Sequence, residues 1–168
     1  MDDFSVALGA IKELERDGVI SAYAIGGAMA LAFWSEPVAT FDLDVFVLLQ
    51  SSGPIVSLEP IYDWARRRGY PERGEHIFIA DVPVQLIPAH NALAEEAIAT
   101  AAELDYDGQP VRVIRPEYLI ALALEPGART RKRMARVAAL LDEGNLDTRL
   151  LDDLLRRYKM ELPPILRQ

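Results

Sequence analysis

Phe4, Ala7, Leu8, Ile11 and Leu14 recur at helical spacing, and Gly18 stands where a helix-ending glycine belongs, so a helix is predicted over 3–17. A short apolar strand over 21–25 runs into Gly26-Gly27, and residues 28–34 read as a helix with Pro37 beyond its end. Residues 43–49 are apolar on both faces, the pattern of a central strand covered on both sides. Residues 51–54 read as a loop, and Ser57 is placed to cap a helix running through Arg68 to Gly69. Two strands over 76–80 and 82–87 meet tightly near Asp81, and Asn91 is placed to cap a helix over 92–102. Asp107-Gly108 between residues 104–106 and 111–114 is a hairpin signal. Pro116 opens a helix to Leu124, two more follow over 130–142 and 148–158, and Pro163-Pro164 forbids further helix.

The alternation predicts an α/β (α+β) fold: a small mixed sheet flanked by helices over 1–115, then a helical C-terminal part over 116–168. No linker composition divides the 168 residues, which are enough for one domain with a real core. About half of them are hydrophobic, yet no apolar run approaches the roughly 20 residues of a membrane span. The acidic start Met-Asp-Asp-Phe does not read as a secretory signal, so the expected location is cytoplasmic. Cysteine is absent and there are two histidines, which excludes disulfides and thiolate metal sites and disfavours a histidine-rich zinc site. A net charge of −8 argues against broad, non-specific nucleic-acid binding.

One stretch, "YAIGGAMALAFWSEPVATFDLDVFVLL" from Tyr23 to Leu49, sets two aspartates into an otherwise apolar run. Side chains alternate along a strand, so Asp42 and Asp44 project the same way, about 6–7 Å apart along the backbone. Two such carboxylates repel, and burying them unpartnered is costly. A divalent cation resolves the conflict, and oxygen-only ligands favour Mg²⁺ or Mn²⁺. Gly26-Gly27 lets backbone N–H groups approach an anion at a helix N-terminus. Separately, a Gly-Gly is a turn and an Asp-x-Asp a solvated strand end. In the order strand, Gly-Gly, helix, Asp-x-Asp, strand, they point to phosphate beside a cation.

"AIGGAMAL" followed by "TFDLDVFV" resembles the signature of the nucleotidyltransferase fold, the polymerase-β-like superfamily. The resemblance implies a mixed sheet whose Gly26-Gly27 turn holds a nucleoside triphosphate while Asp42 and Asp44 hold Mg²⁺. Thr40, two residues before the first aspartate, is similar to bacterial members of the minimal nucleotidyltransferase and AbiEii-like toxin group. "VPVQLIPA" and "VRVIRPEYLIALAL" resemble that group more loosely. The implied activity is transfer of a nucleoside monophosphate to an acceptor hydroxyl, the acceptor being a small molecule, a protein or an RNA end.

The resemblance breaks where catalytic members carry a third carboxylate. The matching position is Gln85, which is neutral and cannot take a proton. Relatives also carry a cation where this chain has Glu36-Pro37-Val38, and a lysine where it has Ala123. Asp81 is read as a turn residue, Glu75 as solvated, and His90 as a surface residue within reach of the pocket rim. A competing expectation is therefore a weak or inactive nucleotide-binding or partner-binding module, for example a toxin–antitoxin component.

"ARTRKRMARV" contains Arg129, Arg131, Lys132, Arg133 and Arg136. It reads either as the solvated face of an amphipathic helix or as a phosphate clamp, with Arg129 and Lys132 the foremost candidates to meet the nucleotide. Arg66-Arg67-Arg68 reads as structural, a set of cations at a helix C-terminus. Phe33 and Trp34 read as core.

Overall fold

The computed structural model describes residues 1–35, 39–50, 54–143 and 145–167. The Glu36-Pro37-Val38 segment and most of the loop expected over 51–54 lie outside them. Helix α1 (Asp3–Arg16) starts where the Asp2 carboxylate accepts the Ser5 N–H at 2.7 Å, and it buries Leu8, Ile11 and Leu14. It leads through β1 (Ile20–Ile25) to α2 (Gly27–Trp34) and β2 (Leu43–Leu49). Helix α3 (Glu59–Arg67) precedes a strand trio, β3 (Glu72–Arg73), β4 (His76–Ile79) and β5 (Val82–Pro88). Helix α4 (Ala92–Ala99) and the hairpin β6 (Ala102–Tyr106) and β7 (Gln109–Val113) complete the sheet portion. Helices α5 (Pro116–Ala123), α6 (Arg131–Asp142) and α7 (Thr148–Arg157) follow, then a 3₁₀ turn over Pro164–Leu166.

The seven strands form one mixed sheet in the order β3-β4-β5-β2-β1-β7-β6. Strand β2 is central, antiparallel to β1 and parallel to β5. Leu43, Val45 and Val47 face a core built with α1 and α3. Phe46 and Leu48 face the opposite side, where α4, α5 and α7 pack. A third cluster joins Leu31 of α2 to α5, α6 and α7. Among the described residues, no helix is long and apolar enough to cross a membrane.

Two tight turns match their residues. Ala80 and Asp81 both take positive φ between β4 and β5, and Asp107-Gly108 do so between β6 and β7, as two-residue hairpins require. The helix expected over 92–102 stops early. Ala102 pairs with Val113 in the β6–β7 hairpin, and that pairing overrides the helix propensity of the alanines. Strand β3 was not expected, because its two exposed polar residues carry no alternation to read. Arg66 meets Glu59, Asp63 and Glu72, while Arg68 meets Glu13 and Asp17 and lies over Trp64, so both have structural partners. Trp34 Nε1 donates to the Ile114 carbonyl at 2.8 Å, and Phe33 packs on Tyr106.

Candidate active site

The turn between β1 and α2 presses directly on β2. The Gly26 N–H donates to the Asp44 carbonyl at 2.9 Å. A Cβ added to Gly26 would lie 2.6 Å from the Phe46 ring. One added to Gly27, whose φ is +58°, would lie 2.2 Å from Asp44 Oδ2 and 3.0 Å from Asp44 Cβ. Glycine is therefore required twice over: for close approach at both positions, and for the left-handed backbone at Gly27. No side chain caps α2, so its first N–H groups open beside the Asp44 carboxylate.

Asp42 lies just before β2 and is exposed, whereas Asp44 is half-buried within it. The Thr40 hydroxyl donates to the Asp42 carbonyl at 3.1 Å and approaches its Oδ1 at 3.3 Å, which orients that carboxylate. Burial pushes the Asp44 carboxyl pKa up, and the negative charge of Asp42 pushes it further. Arg136, His76 and Arg133 pull it back down. No hydrogen bond or ion pair reaches the Asp44 carboxylate among the described residues.

The sheet register sets Gln85 of β5 beside Asp44, and His76 of β4 beside Gln85. Gln85 donates its amide N–H to Glu75 Oε2 at 3.0 Å, so the exposed Glu75 is tied to this row rather than only solvated. Asp81 stays in its turn.

Helix α6 lies across this face. A cleft of about 200 Å³ runs between the sheet and α2, α5 and α6, lined by Gly27, Asp44, Phe46, Arg133 and Arg136 among others. A second, more open hollow of about 420 Å³ is lined by Thr40, Asp42, His76, Lys132 and Arg136. Arg136 borders both. Lys132 thus stands with Asp42, while Arg129 lines neither cavity and donates to the carbonyls of Leu124 and Glu161 at 3.3 and 3.4 Å. Sequence reasoning named Arg133 and Arg136 within the cluster but did not single them out. Their spacing offered a signal, since Lys132 and Arg136 are four apart and share a helix face. It missed His76 and Glu125, whose places depend on strand pairing and on the packing of α5. Ala123 and His90 also line the cleft, His90 beside Glu125.

Could these residues hold a divalent cation? Among the described residues no group of three or more acidic, histidine or cysteine side chains is spaced to do so alone. Two carboxylates completed by phosphate oxygens are nonetheless a usual Mg²⁺ donor set, and burial and the charge of Asp42 make an unpartnered Asp44 carboxylate costly, a cost that a cation would relieve.

The order and direction of the strands, the glycine turn against the Asp-x-Asp strand and the helices beyond define the nucleotidyltransferase fold. Solved structures of that fold superpose on nearly the whole chain. An antigenic nucleotidyltransferase-like protein from Paracoccidioides brasiliensis is 14% identical, with a TM-score of 0.56, over 94% of this chain and 87% of that one. The solution structure of the antibiotic-resistance factor ANT(2'')-Ia is 19% identical, with a TM-score of 0.52, over 95% of this chain and 93% of that one. The crystal structure of ANT(2'')-Ia in complex with adenylyl-2''-tobramycin gives 18% identity and a TM-score of 0.52, over 92% and 99%. No protein-family model and no curated protein matches the sequence.

Proposed function

We propose that the protein binds a nucleoside triphosphate with Mg²⁺ or Mn²⁺ and transfers the nucleoside monophosphate to an acceptor hydroxyl. The observation that carries this reading is the close approach of Gly27 to the Asp44 carboxylate, which sets the uncapped N-terminus of a helix beside a half-buried acid. In the reaction the acceptor oxygen bonds to the α-phosphorus. The bond to the bridging oxygen breaks, pyrophosphate leaves with the electron pair, and the hydroxyl proton passes to solvent. The α2 N-terminus holds phosphate oxygens through the backbone N–H groups of its first turn from Gly27 on, the Gly26 N–H being engaged by the Asp44 carbonyl. Asp42, oriented by Thr40, and Asp44 would hold the metal ion, which supplies positive charge to the phosphate oxygens. Lys132 and Arg136 add cationic charge beside Asp42, and Arg129 ties down the turn before α6. The adenylylated tobramycin bound by the structural neighbour favours a small-molecule hydroxyl as acceptor here.

A second reading is a weak or inactive nucleotide-binding module, for example one that docks a protein partner as in a toxin–antitoxin pair. It is favoured by Gln85, which stands beside Asp44 in the place of a third acid and is held by Glu75. Such a site lacks a group to take the acceptor proton.

Calorimetry with triphosphates, with and without Mg²⁺, tests both. Heat is expected only with Mg²⁺ present and is expected to vanish in the Asp42→Asn, Asp44→Asn double variant. Binding that ignores the double substitution sinks the proposal. Gln85→Asp is expected to tighten Mn²⁺ binding, and nucleotide transfer that arises only in that variant decides for the second reading.

A further inference from the structure

The cleft beside Asp44 ends in a polar cluster that the transfer chemistry does not use. Glu125 follows α5 and lines the cleft with its side chain 14% exposed. Its Oε1 accepts the Asn91 Nδ2–H at 2.9 Å, and its Oε2 lies 2.9 Å from His90 Nε2. A carboxylate only accepts, so His90 presents an N–H to it. Asn91 is itself anchored, because its Oδ1 caps α4 by accepting the Ala94 N–H at 2.9 Å. The carboxylate is thus fixed between the ends of α4 and α5 before any ligand arrives.

Its place along the sheet limits what it can do. Gln85 pairs with Asp44 and Pro88 with Val47, three residues on, which is roughly 10 Å along the strands. His90 lies two residues beyond Pro88. A base must come within about 3 Å of the proton it takes, and Glu125 already accepts from Asn91 and His90, so the cluster is arranged as a fixed acceptor pair rather than as a free base. A group bound at Asp44 and reaching Glu125 must be long, and the cleft walls between them are largely apolar, with Leu31, Phe46, Ile87 and Leu122. The volume of about 200 Å³ is below the roughly 300–1,000 Å³ of pockets that enclose a whole ligand, and suits one flat ring system.

We infer that this cleft holds the nucleobase of the triphosphate and that Glu125 selects guanine. With one lone pair of each oxygen engaged by Asn91 and His90, each retains another. Guanine alone among the common bases presents two adjacent donors, N1–H and the N2 amino group, to such a pair of acceptors. Adenine offers an acceptor at N1 and is repelled there. The sheltered position strengthens the discrimination, because a buried acceptor left without its donor is costly.

This inference rests on the nucleotide-binding reading, and the experiment separates the two. Mg²⁺-dependent affinities are measured for GTP, ITP and ATP. ITP keeps N1–H and lacks the N2 amino group. The expected order is GTP, then ITP, then ATP, each step about tenfold. Glu125→Gln is expected to bring the GTP and ATP affinities within about threefold of each other. Glu125→Asp, which keeps the charge but withdraws it by one methylene, is expected to shrink the gap and serves if the glutamine variant does not fold. Three triphosphates bound equally well overturn the selection and leave the nucleotide reading standing. A GTP preference that persists in both variants overturns the role of Glu125. Absence of binding by all three overturns the nucleotide reading along with it.

Discussion

Asp44 concentrates the conflict of the site in one side chain. Its pKa is raised by burial first and by the charge of Asp42 second, so the folded chain holds that proton more tightly than the unfolded chain, where the group titrates near 3.8. A raised carboxyl pKa contributes stability that is fully present below the unfolded value and is lost as pH rises through the folded one. At neutral pH the ionised Asp44 therefore weighs against the fold. Without divalent cations, Asp44→Asn is expected to be at least as stable as the parent at pH 7. That advantage is expected to shrink as pH falls toward 4, as urea unfolding across the pH range would show. A variant less stable at pH 7 would mean that the carboxylate has a favourable partner in the fold. The neighbouring glycines belong to the same argument, since any side chain at Gly27 would displace this carboxylate.

Helix α6 is the element on which the charge of the site turns. Its apolar stripe, with Val137 and Leu140, packs on α2 and α5, and this sets which cations look inward. Lys132, Arg133 and Arg136 line the two cavities, while Arg129 holds backbone carbonyls. Lys132→Ala and Arg136→Ala are each expected to weaken triphosphate binding several-fold and to flatten its salt dependence, because each removes a cation lining the hollow beside Asp42, where the proposal sets the phosphates. Arg129→Ala is expected to show chiefly as a stability loss of about 1 kcal/mol. Calorimetry over a salt series, paired with urea unfolding, separates the two effects. Equal loss of affinity in all three variants would mean that α6 acts as a diffuse positive surface.

Across the whole molecule, the helical residues after Pro116 share their core with the sheet. Tyr118 and Leu154 pack with Ala24 and Ile98, and Leu31 packs with Ile120 and Leu140. Chains with a continuous core unfold cooperatively, so a single calorimetric transition is expected, with equal calorimetric and van't Hoff enthalpies. Saturating Mg²⁺-triphosphate at 100 times its Kd is expected to add about 2.7 kcal/mol and move that transition up as one peak. Two separated peaks, only one of them moved by ligand, would show that the sheet and the C-terminal helices fold apart.

What the sequence determined by itself was local. Helical spacing placed α1 and the amphipathic α6, turn residues placed both hairpins, and Asn91 and Pro116 marked helix starts. The glycine pair and the Asp-x-Asp strand were also legible, because each depends on backbone geometry within a few residues. Tertiary structure decided the rest. The row of His76, Gln85 and Asp44 exists because β5 pairs with β2 in parallel and with β4 in antiparallel, and a shift of one residue would turn each side chain to the other face. The inward cations of α6 follow from which stripe packs on α2 and α5. The pairing of His90 with Glu125 joins residues 35 apart through the packing of α5 beside α4. Periodicity reports which face of an element is buried. It does not report what the element is buried against, since that is set by packing among segments distant in the chain.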